Sequence, residues 1–596
     1  MMPLICKRTR WLCIFITLVS SSQALQLRGS SIQDDDGNIV KIKGFNWFGF
    51  NNGQTMVDGL WSNDALSGDF ATVVWRQKLL GFNGVRLPFS FKDFEKSPRS
   101  FVHQNCAPPS ANVIAESVTP PSQAPMGAAP SLENPPENWN VCNEYLPNGS
   151  TRDRFIWVAT FFAQNGFYVM VDNHLREDQT ALEDANTWSQ KWADLVKDLS
   201  SDATLKSRLI VDLLNEPDNY GIKWPKLKDL YIKAMDAIEK VSSNTIFALE
   251  GTGQSGLQAN WGDGFATTKI SELGLSDPRP FFDELLSKSY RNRVILAPHV
   301  YPPSVTYNYN SATGDGLYNR LSTSFGTKMG QGYCKGSDCQ KFPIAIGEFG
   351  SKFVENTDLI SMSDLAKYLN NNGDAQDGKH KAIGTWFYWS WNANSGDTGG
   401  LVDDGWVNIQ WNKINYLKTI GLSPWSGGSS DAPSPSPPIP REPESPSPPP
   451  PSPSPEQPTL PPPPPPLPSS PSPEEPTLPP PGVESSCSVR IEIGNTWKDG
   501  AGYSGSFNVY IQNTGADVIN VPWELRLSGA TYSKILQAWN WNASIKDNDI
   551  VGKGTLDWLK IAPNNLVNVG YLAHGPNNNS LKPTSAVLNT IQCQIL

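Results

Sequence analysis

The sequence predicts an α/β fold, a (β/α)8 TIM barrel, which a Pro-rich linker joins to a C-terminal all-β sandwich module. Residues 25–426 alternate near-continuous apolar runs with helical patterns. The composition then changes completely, over residues 427–486, to Ser-Pro and poly-Pro runs. Residues 487–596 contain short alternating segments separated by Gly and Asn turns. At 596 residues the chain is also too long for one ordinary domain.

The amino terminus, residues 1–24, has the pattern of a secretory signal peptide. Basic residues precede an apolar run over 11–19, and Ser22-Gln23-Ala24 follows as a small-residue cleavage site. The run is too short to cross a bilayer, and no later stretch reaches the roughly 20 apolar residues of a membrane helix. We therefore expect a secreted protein, extracellular or in the cell wall, with no membrane partner.

The barrel is predicted from eight apolar runs. They lie at 42–49, 84–89, 167–173, 209–215, 245–251, 294–301, 344–349 and 384–391. Helical candidates between them, with apolar residues at helical spacing, include 70–80, 152–164, 227–241 and 361–370. Near-continuous apolar strands separated by helices imply a parallel sheet buried on both faces. Eight such strands favour a closed barrel over an open sheet.

Two irregular stretches interrupt this pattern. Residues 91–150 form a long Pro-rich insertion, which we interpret as a loop over one mouth of the barrel. A second, shorter loop surrounds Cys334 and Cys339. Both loops are expected to be able to reshape the cleft.

The cysteines agree with export. Six remain after the signal peptide, and an even count in an exported protein favours disulfides. Proximity in the sequence suggests Cys106–Cys142, Cys334–Cys339 and Cys487–Cys593, although sequence alone leaves other pairings open. No His lies at ligand spacing from these cysteines, so a metal site is not expected among them. Asn-X-Ser sites at Asn148, Asn542 and Asn578 permit glycosylation.

The charge excludes one class of partner. A net charge of −10 and a pI near 5.2 argue against nucleic acid, which needs a basic face to neutralise phosphates. An uncharged partner fits better. The 21 Trp and 17 Tyr are consistent with binding to flat neutral surfaces such as sugar rings, although many of them will be core residues.

The residues at the carboxyl ends of the predicted strands form a chemically coherent set, because these ends meet at one mouth of a barrel. The set is Arg86, His174, Asn215, Glu216, His299, Tyr301, Glu348 and Trp389. A lone glutamate before Pro217 is equally consistent with an exposed loop edge. A pair of carboxylates on one mouth is more informative. Cleavage of a glycosidic bond needs one carboxyl to protonate the leaving oxygen and another to attack or to activate water.

The barrel segment resembles glycoside hydrolase family 5, and within it the endo-β-1,4-glucanases, or cellulases. The resemblance covers roughly residues 25–425 and is carried by these motifs: Gly44-Phe-Asn-Trp-Phe-Gly-Phe, Val85-Arg-Leu-Pro-Phe-Ser, Leu214-Asn-Glu-Pro, Ile346-Gly-Glu-Phe-Gly and Tyr388-Trp-Ser-Trp-Asn-Ala-Asn-Ser-Gly-Asp-Thr-Gly-Gly. It implies a retaining mechanism with Glu216 as acid/base and Glu348 as nucleophile. Neither a cofactor nor a metal is implied. The 91–150 insertion and the Cys334–Cys339 loop do not match the family pattern.

The resemblance also implies roles for the surrounding residues. Arg86 and Tyr301 would hydrogen-bond Glu348, and Asn215 would bind the sugar 2-hydroxyl. The substrate-binding residues would further include His174, His299, Trp389 and, as an additional stacking platform, Trp261. The alternative for the two histidines is a structural role as buried hydrogen-bonding groups. For Trp386, Trp391 and Trp411 we expect packing.

The terminal module resembles the family 2 cellulose-binding modules and their plant-type relatives, through its end-to-end cysteines, an Asn-Thr-Gly turn at 513–515 and a Trp539-Asn-Trp-Asn-Ala stretch. By this resemblance Trp497, Trp539 and Trp558 would bind glucan, with Tyr503 in reserve. The bland alternative, burial in the sandwich, applies to each of them. It is the expectation for Trp523.

Together these patterns predict a secreted, monomeric endo-β-1,4-glucanase with a polysaccharide substrate, anchored to it by the C-terminal module. Two alternatives remain. A β-mannanase or mixed-linkage glucanase would use the same barrel residues. A non-catalytic wall-binding protein would use only the linker and the module.

Overall fold

The computed structural model describes residues 24–427, except 122, 124–126, 176–178, 253–260, 273 and 307–310, and residues 486–595, except 500, 501, 540, 556–558, 564 and 577–580. Apart from their boundary residues Ala24, Gly427 and Ser486, the predicted signal peptide and linker lie outside the described part of the chain.

Eight parallel strands form the sheet of the N-terminal domain. They are β1 (Lys43–Asn46), β2 (Gly84–Phe89), β3 (Tyr168–Asn173), β4 (Leu209–Asp212), β5 (Ile246–Leu249), β6 (Val294–Leu296), β7 (Ile346–Phe349) and β8 (Trp386–Tyr388). Neighbours in the sheet are neighbours in the chain, and β8 pairs with β1. Parallel bridges from Leu296 to Ile344 and from His299 to Glu348 join β6 to β7. The ring is closed, and the predicted barrel is confirmed.

A principal helix follows each strand and runs back along the outside of the sheet. These helices are α1 (Phe70–Leu79), α2 (Thr151–Gln164), α3 (Ala185–Leu199), α4 (Trp224–Glu239), α5 (Arg279–Leu285), α6 (Gly314–Leu321), α7 (Asn356–Asn370) and α8 (Trp411–Thr419). Short helical segments precede or follow them at Ala65–Gly68, Ala111–Ser117, Thr180–Glu183, Ala203–Arg208, Pro303–Thr306 and Thr327–Gly330. Side-chain caps start several helices, because the first backbone N–H groups have no partner within the helix. Asp69 accepts from Thr72 at the start of α1, and Ser150 accepts from Asp153 at the start of α2.

The barrel strands bury both of their faces, and the alternation of side chains separates two cores. Along β3, Val169 and Val171 pack outward among the helices, whereas Tyr168 and Met170 point into the barrel. The lower end of the barrel is closed by a hairpin, Gln26–Arg28 with Ser31–Gln33, whose Ile32 packs against the interior cluster. The upper interior is left to polar residues.

The insertion after β2 is divided between the mouth and the outer wall. Its first part contacts the loop that follows β1 at the carboxyl ends of the strands. Asp93 accepts from the backbone N–H of Gly53 at 2.7 Å, and His103 Nε2 lies 3.1 Å from the carbonyl oxygen of Leu60.

Around Pro130 and Asn134 the insertion lies against the outer wall. Trp75 of α1 donates to the carbonyl of Pro130 at 2.7 Å, and the backbone N–H of Asn134 donates to Asn165, which follows α2 at the opposite end of the barrel, at 3.0 Å. The expected loop over the mouth therefore does not describe the whole insertion, because the hydrophobic wall of α1 offers its later part burial.

The Cys334–Cys339 loop is also far from the mouth. It is a β-hairpin, Tyr333–Lys335 with Asp338–Gln340, that enters the barrel just before β7. Arg291, which precedes β6, donates to Asp338 at 2.8 Å. The hairpin and its contact with Arg291 lie at the amino ends of the strands, so this loop does not reshape the cleft at their carboxyl ends.

The C-terminal domain is a curled β-sheet. Its strands in the described residues are β9 (Cys487–Asp499), β10 (Gly502–Asn513), β11 (Trp523–Ser528), β12 (Lys534–Trp539), β13 (Asn542–Lys546), β14 (Asp549–Gly554), β15 (Leu566–Gly575), β16 (Ser585–Leu588) and β17 (Ile591–Ile595). The sheet order is β12-β15-β10-β9-β17-β16-β11-β14-β13. Trp541 packs against Gly552 of β14 and donates to the carbonyl of Gly570 in β15, so the two ends of the sheet fold over one core.

The structure joins Cys106 to Cys142, Cys334 to Cys339 and Cys487 to Cys593, which are the three pairs that proximity suggests. The last bond links β9 and β17, which are also parallel neighbours in the sheet. Within the described residues, no helix is both long enough and apolar enough to cross a membrane.

Candidate active site

Strand alternation brings a layer of charged side chains to the upper interior of the barrel. Along β3 and β4, the interior positions after Met170 and Ile210 are Asp172 and Asp212. On β2 the interior position between the outward-facing Val85 and Leu87 is Arg86. Because the layer lies at the carboxyl ends of the strands, it forms the floor of the mouth where barrels of this kind place their chemistry.

Arg86 is at the centre of this layer and is fully buried. Its guanidinium lies 2.9 Å from Asp212, 3.1 Å from Asp172, 3.1 Å from Glu250 and 2.5 Å from Glu348. Burial alone would lower its pKa, but the surrounding carboxylates raise that pKa well above its ordinary value. Arg86 is therefore a permanent cation that several acids share.

Glu348 lies between Arg86 and Tyr301. Its Oε1 accepts from Arg86, and its Oε2 accepts from the Tyr301 hydroxyl at 2.6 Å. The register between β7 and β8 shifts between Ile346 and Phe349, and Glu348 falls in this irregular segment. Such irregularities often re-aim a side chain next to an active site. Each oxygen of the Glu348 carboxylate therefore accepts a hydrogen bond from a buried donor.

Glu216 follows β4 at a sharp turn. Its backbone has the left-handed conformation, with φ 43° and ψ 63°, just before Pro217 begins a short 3-10 helix. Its Oε1 lies 2.9 Å from His299 Nδ1, and its Oε2 accepts from Asn219 at 2.5 Å. Burial raises the pKa of Glu216 above its ordinary value, and the hydrogen bond from His299 opposes that shift. A raised pKa suits a carboxyl that must carry a proton.

The two carboxyl groups face one another. One carboxylate oxygen of Glu216 and one of Glu348 lie within 4.8 Å of each other, with a ring nitrogen of His299 in the same group. Both residues are buried, with 9% of Glu216 and 3% of Glu348 exposed. The two carboxyl groups have different environments: burial raises the pKa of Glu216, whereas Glu348 accepts from two donors. Acid/base chemistry on a sugar requires such a difference.

His299 links the acids. Besides Glu216, its Nδ1 lies 3.5 Å from Glu348, and its Nε2 lies 3.1 Å from Glu250. Burial would lower its pKa, yet the carboxylates around it raise that pKa well above its ordinary value. His299 is fully buried and is thus part of the acid network, which agrees with the alternative of a buried hydrogen-bonding group.

The remaining predicted residues lie around this pair. Asn215 accepts from Arg86 at 3.0 Å. His174 contacts Asp172 through Nδ1, and its Nε2 lies 4.0 Å from Glu348. Trp389 is half-buried between nearly parallel rings of Phe48 and His174. Trp261 meets the Tyr301 ring edge-on with centroids 6.1 Å apart. The structure therefore brings together every barrel residue that the sequence nominated.

Three members of the network were missed in the sequence. Asp172 and Asp212 are acids inside otherwise apolar strands, and Glu250 follows β5 as Glu216 follows β4. That signal was visible, because a charge inside a doubly buried strand must have a buried partner. The sequence alone does not identify the buried partner of these acids, because that partner, Arg86, belongs to a different strand.

A group of carboxylates of this kind can also hold a metal ion, and the oxygens of Asp172, Asp212 and Glu250 lie within 4.8 Å of one another. Each of the three contacts the Arg86 guanidinium, however. The guanidinium therefore supplies a positive charge to the same three carboxylates that a cation would contact.

The candidates in the C-terminal module are only partly described. Trp497 lies on β9, where it pairs with Ser504, and Trp539 lies on β12, where it pairs with Gly570. Trp558 lies outside the described residues. Tyr503 is half-buried against the core. Trp523 is a core residue with 1% of its surface exposed, as expected.

Comparisons with known proteins agree with this site. Residues 124–395 match the family model described as cellulase (glycosyl hydrolase family 5). The chain is 26% identical over 411 residues to the major extracellular endoglucanase of Xanthomonas campestris, covering 65% of this chain and 69% of that protein. It is 24% identical to an endoglucanase of Paenibacillus polymyxa, covering 65% of this chain and 83% of that one.

A solved structure of an endocellulase from Pyrococcus horikoshii is 22% identical, covers 67% of this chain and 98% of that one, and superposes with a TM-score of 0.45. The matched family segment contains both Glu216 and the strands β3 to β8, and it ends after Trp389. Residues 124–395, a little under half of the chain, therefore resemble the cellulase family, and the protein is a glycoside hydrolase.

Proposed function

We propose that this protein is a secreted endo-β-1,4-glucanase that hydrolyses cellulose or a related β-glucan with retention of anomeric configuration. The observation that carries the proposal is the Glu216–Glu348 pair, with carboxylate oxygens within 4.8 Å of each other at the carboxyl ends of β4 and β7. Carboxyl groups about 5–5.5 Å apart are typical of retaining enzymes, whereas inverting enzymes leave about 6.5–9.5 Å for a water molecule. The short separation supports retention.

In the first chemical step Glu348 attacks the anomeric carbon while Glu216 gives its proton to the leaving oxygen. The glycosidic C–O bond breaks, and an ester bond joins the sugar to Glu348. In the second step Glu216, now ionised, takes a proton from water, whose oxygen attacks the same carbon and releases Glu348. The proton taken from water restores the protonated Glu216, and the atoms balance without any further reactant.

The neighbouring residues support these roles. Arg86 and Tyr301 donate to the two oxygens of Glu348 and so orient it for attack. Asn215 is proposed to bind the sugar 2-hydroxyl, where contacts strengthen in the transition state. His174, Trp389 and Trp261 are proposed to line the sugar sites, since aromatic faces stack on sugar rings.

The choice of a β-1,4-glucan rests on the relatives, which are named endoglucanases. Mannan and mixed-linkage glucan remain competing substrates, because the network around the two carboxylates acts on the scissile bond, which does not specify the whole polymer. The match to the cellulase family model and the facing carboxylate pair favour an enzyme over a non-catalytic wall-binding protein.

We further propose four functional segments: a signal peptide over 1–24, the catalytic domain over 25–426, a linker over 427–486 and a carbohydrate-binding module over 487–596. One relative is named as extracellular, which supports export. The linker composition suits an extended polyproline II spacer of about 3.1 Å per residue. The module would hold the catalytic domain close to an insoluble polymer and so raise its local concentration.

The test is a product profile combined with stereochemistry. The purified protein would be incubated with cellulose, mannan, xyloglucan and mixed-linkage glucan, and the products would be separated by size. Internal cleavage of cellulose or β-glucan into short oligomers is expected. Proton NMR of a soluble oligosaccharide should show the β-anomer first, because two displacements restore the configuration. A first product with the α-anomer would contradict the retaining mechanism, and exclusive release of manno-oligomers would contradict the substrate.

A further inference from the structure

The two-step reaction gives no role to the buried carboxylate of Glu250. It follows β5 and is fully buried. Its Oε2 accepts from the backbone N–H of Glu216 at 2.8 Å. Its Oε1 lies 3.1 Å from His299 Nε2 and 3.1 Å from Arg86 Nη2. Glu250 is therefore connected to Glu216 in two ways. It accepts directly from the backbone N–H of Glu216, and it contacts His299, which binds the Glu216 carboxyl.

We propose that Glu250 is a positioning residue for the acid/base: it holds the turn that carries Glu216 and fixes the orientation and protonation of His299 against the Glu216 carboxyl. The inference rests on the proposed role of Glu216 as the proton donor. Glu250 itself does not reach the substrate or the reacting atoms.

The first part of the proposal follows from the backbone. Glu216 is in the left-handed region, which a non-glycine residue adopts only where its surroundings hold it. The hydrogen bond from its N–H to Glu250 is one such restraint. Glu250 is itself fixed by close packing, because a Cβ on Gly262 would meet its Oε2 at 2.3 Å. Tyr231 donates to its backbone carbonyl at 2.9 Å.

The second part follows from the imidazole. A carboxylate opposite Nε2 favours a proton on that nitrogen, which leaves Nδ1 to face Glu216. With a proton on Nδ1 as well, the imidazolium donates to Glu216, and this is the hydrogen bond that opposes the rise of the Glu216 pKa. The negative charge of Glu250 also stabilises the imidazolium, so the Glu216–His299 pair keeps its last proton to a higher pH than it would without Glu250.

The three groups around the Glu250 oxygens are all donors: a backbone N–H, an imidazole N–H and a guanidinium N–H. A carboxylate accepts from all three, whereas an amide must turn its NH2 group toward at least one of them. Glu250→Gln therefore removes the charge and disturbs the restraint with little change of volume. Glu250→Asp keeps the charge but shortens the side chain.

The test compares two leaving groups. A soluble oligosaccharide of the preferred sugar needs protonation of its leaving oxygen, whereas its 2,4-dinitrophenyl glycoside does not. We expect Glu250→Gln to lower kcat/KM about 100-fold on the oligosaccharide and less than about 5-fold on the aryl glycoside, because only acid assistance is impaired. The basic limb of the kcat/KM profile on the oligosaccharide should move down by about one pH unit. Glu250→Asp should show the same selectivity for the leaving group without the shift of the limb.

The matched control is Asp212→Asn. Asp212 is equally buried and also contacts Arg86, but its hydrogen bonds given above reach neither Glu216 nor His299. We expect any loss in this variant to be equal on both substrates, since Arg86 serves the nucleophile. Circular dichroism and melting temperature would establish that each variant is folded. If Glu250→Gln does not fold, Glu250→Asp carries the comparison.

Equal losses on the two substrates, or an unmoved basic limb in Glu250→Gln, would overturn the proposal and leave Glu250 with a structural role. Glu216→Ala separates this failure from a wrong assignment of the acid/base. If Glu216→Ala spares the aryl glycoside and Glu250→Gln does not, only the role of Glu250 is lost. If Glu216→Ala also fails to spare the aryl glycoside, the proposed mechanism is lost with it.

Discussion

Arg86 shows how single residues set the chemistry of this site. A buried guanidinium surrounded by acids cannot neutralise all of them, so the acids differ in how firmly they hold a proton. Glu348 has Arg86 and Tyr301 as donors. Glu216 has no contact with Arg86 among its hydrogen bonds and depends on His299 and Asn219. The asymmetry between nucleophile and acid therefore originates in the position of one cation.

The role of Glu348 gives the most direct prediction. Glu348→Gln removes the negative charge that attacks the anomeric carbon but keeps a side chain of nearly the same shape between Arg86 and Tyr301. We expect kcat/KM on soluble β-glucan to fall by at least about 1,000-fold, with an unchanged circular dichroism spectrum. Reducing-end assays at matched enzyme concentration would measure the loss. Glu137→Gln, at an exposed position of the insertion, is the control and should retain wild-type turnover. Undiminished activity of Glu348→Gln would rule it out as the nucleophile.

Asp212 gives a prediction about stability and pH. Burial raises its pKa to about 6, while Arg86 acts in the opposite direction. A carboxyl whose pKa is higher in the folded state stabilises the fold at low pH, and this contribution is lost as the pH rises through about 6. Up to about 3 kcal/mol of unfolding free energy is involved. In Asp212→Asn the melting temperature should therefore fall less between pH 4 and pH 7 than in the wild type. Parallel melting curves across that range would contradict the assignment.

At this scale the sequence predicts the residues that end strands better than those within them. Glu216 and Glu348 stand out because Pro217 and a Gly-rich turn mark the strand ends. Asp212 carries the same charge but lies inside an apolar run, whereas Glu250 ends its strand before Gly251 much as Glu216 ends its own. Their significance depends on which interior residue of another strand they meet, and a single sequence does not contain that register.

The strands are the elements that the sequence predicts most fully. A strand buried on both faces must be apolar over most of its length, and this constraint leaves a run that helices do not share. The helices are predicted with shifted ends. For α7 the pattern 361–370 finds the last two-thirds of Asn356–Asn370, because the first turn contains Thr357 and Asp358 and lacks apolar periodicity.

The insertion after β2 lies only partly at the predicted surface, for a physical reason. Its Pro-rich composition predicts a segment without regular structure, and such a segment can lie over the mouth or against the wall. The choice depends on contacts such as Trp139 with Asp69 and Trp75 with Pro130, which connect residues more than 50 positions apart. Composition cannot specify such pairs.

This placement yields a prediction for the disulfides of the barrel. The Cys106–Cys142 bond closes a loop with a sequence separation of 36, and Cys334–Cys339 closes one with a separation of 5. Chain entropy gives about 4 kcal/mol of stabilisation for the first and about 2 kcal/mol for the second. The double variant Cys106→Ser/Cys142→Ser should therefore lower the melting temperature more than Cys334→Ser/Cys339→Ser. Neither pair lies in the carboxylate network, so kcat/KM on soluble substrate should stay within about twofold.

The second double variant is the internal control for the first, since both remove one disulfide from the same domain. A large loss of kcat/KM in either variant, measured well below its melting temperature, would show that the loop concerned shapes the cleft after all. Equal shifts of melting temperature would indicate that native-state strain, and not loop length, decides the contribution of each bond.

At the scale of the whole molecule, two hydrophobic cores are built from separate parts of the chain. One lies in the barrel, and the other lies in the C-terminal sheet around Trp523, Trp541 and Tyr571. The boundary between them is predicted from composition, because a stretch with so much proline cannot form a core. Each domain therefore has what it needs to remain folded when the other is removed.

Removal of residues 487–596 tests the division of labour between the two domains. If the module only anchors the enzyme, the truncated protein keeps the whole Glu216–Glu348 network, and kcat/KM on soluble β-glucan should stay within about twofold. On insoluble cellulose the enzyme loses the raised local concentration that a tethered binding site supplies, and hydrolysis at low enzyme concentration should fall roughly tenfold. The deficit should shrink as enzyme concentration rises, because mass action replaces the tether. Pull-down on cellulose followed by activity in the supernatant measures both effects. Equal losses on soluble and insoluble substrates would mean that the C-terminal domain supports the barrel and does not bind the polymer.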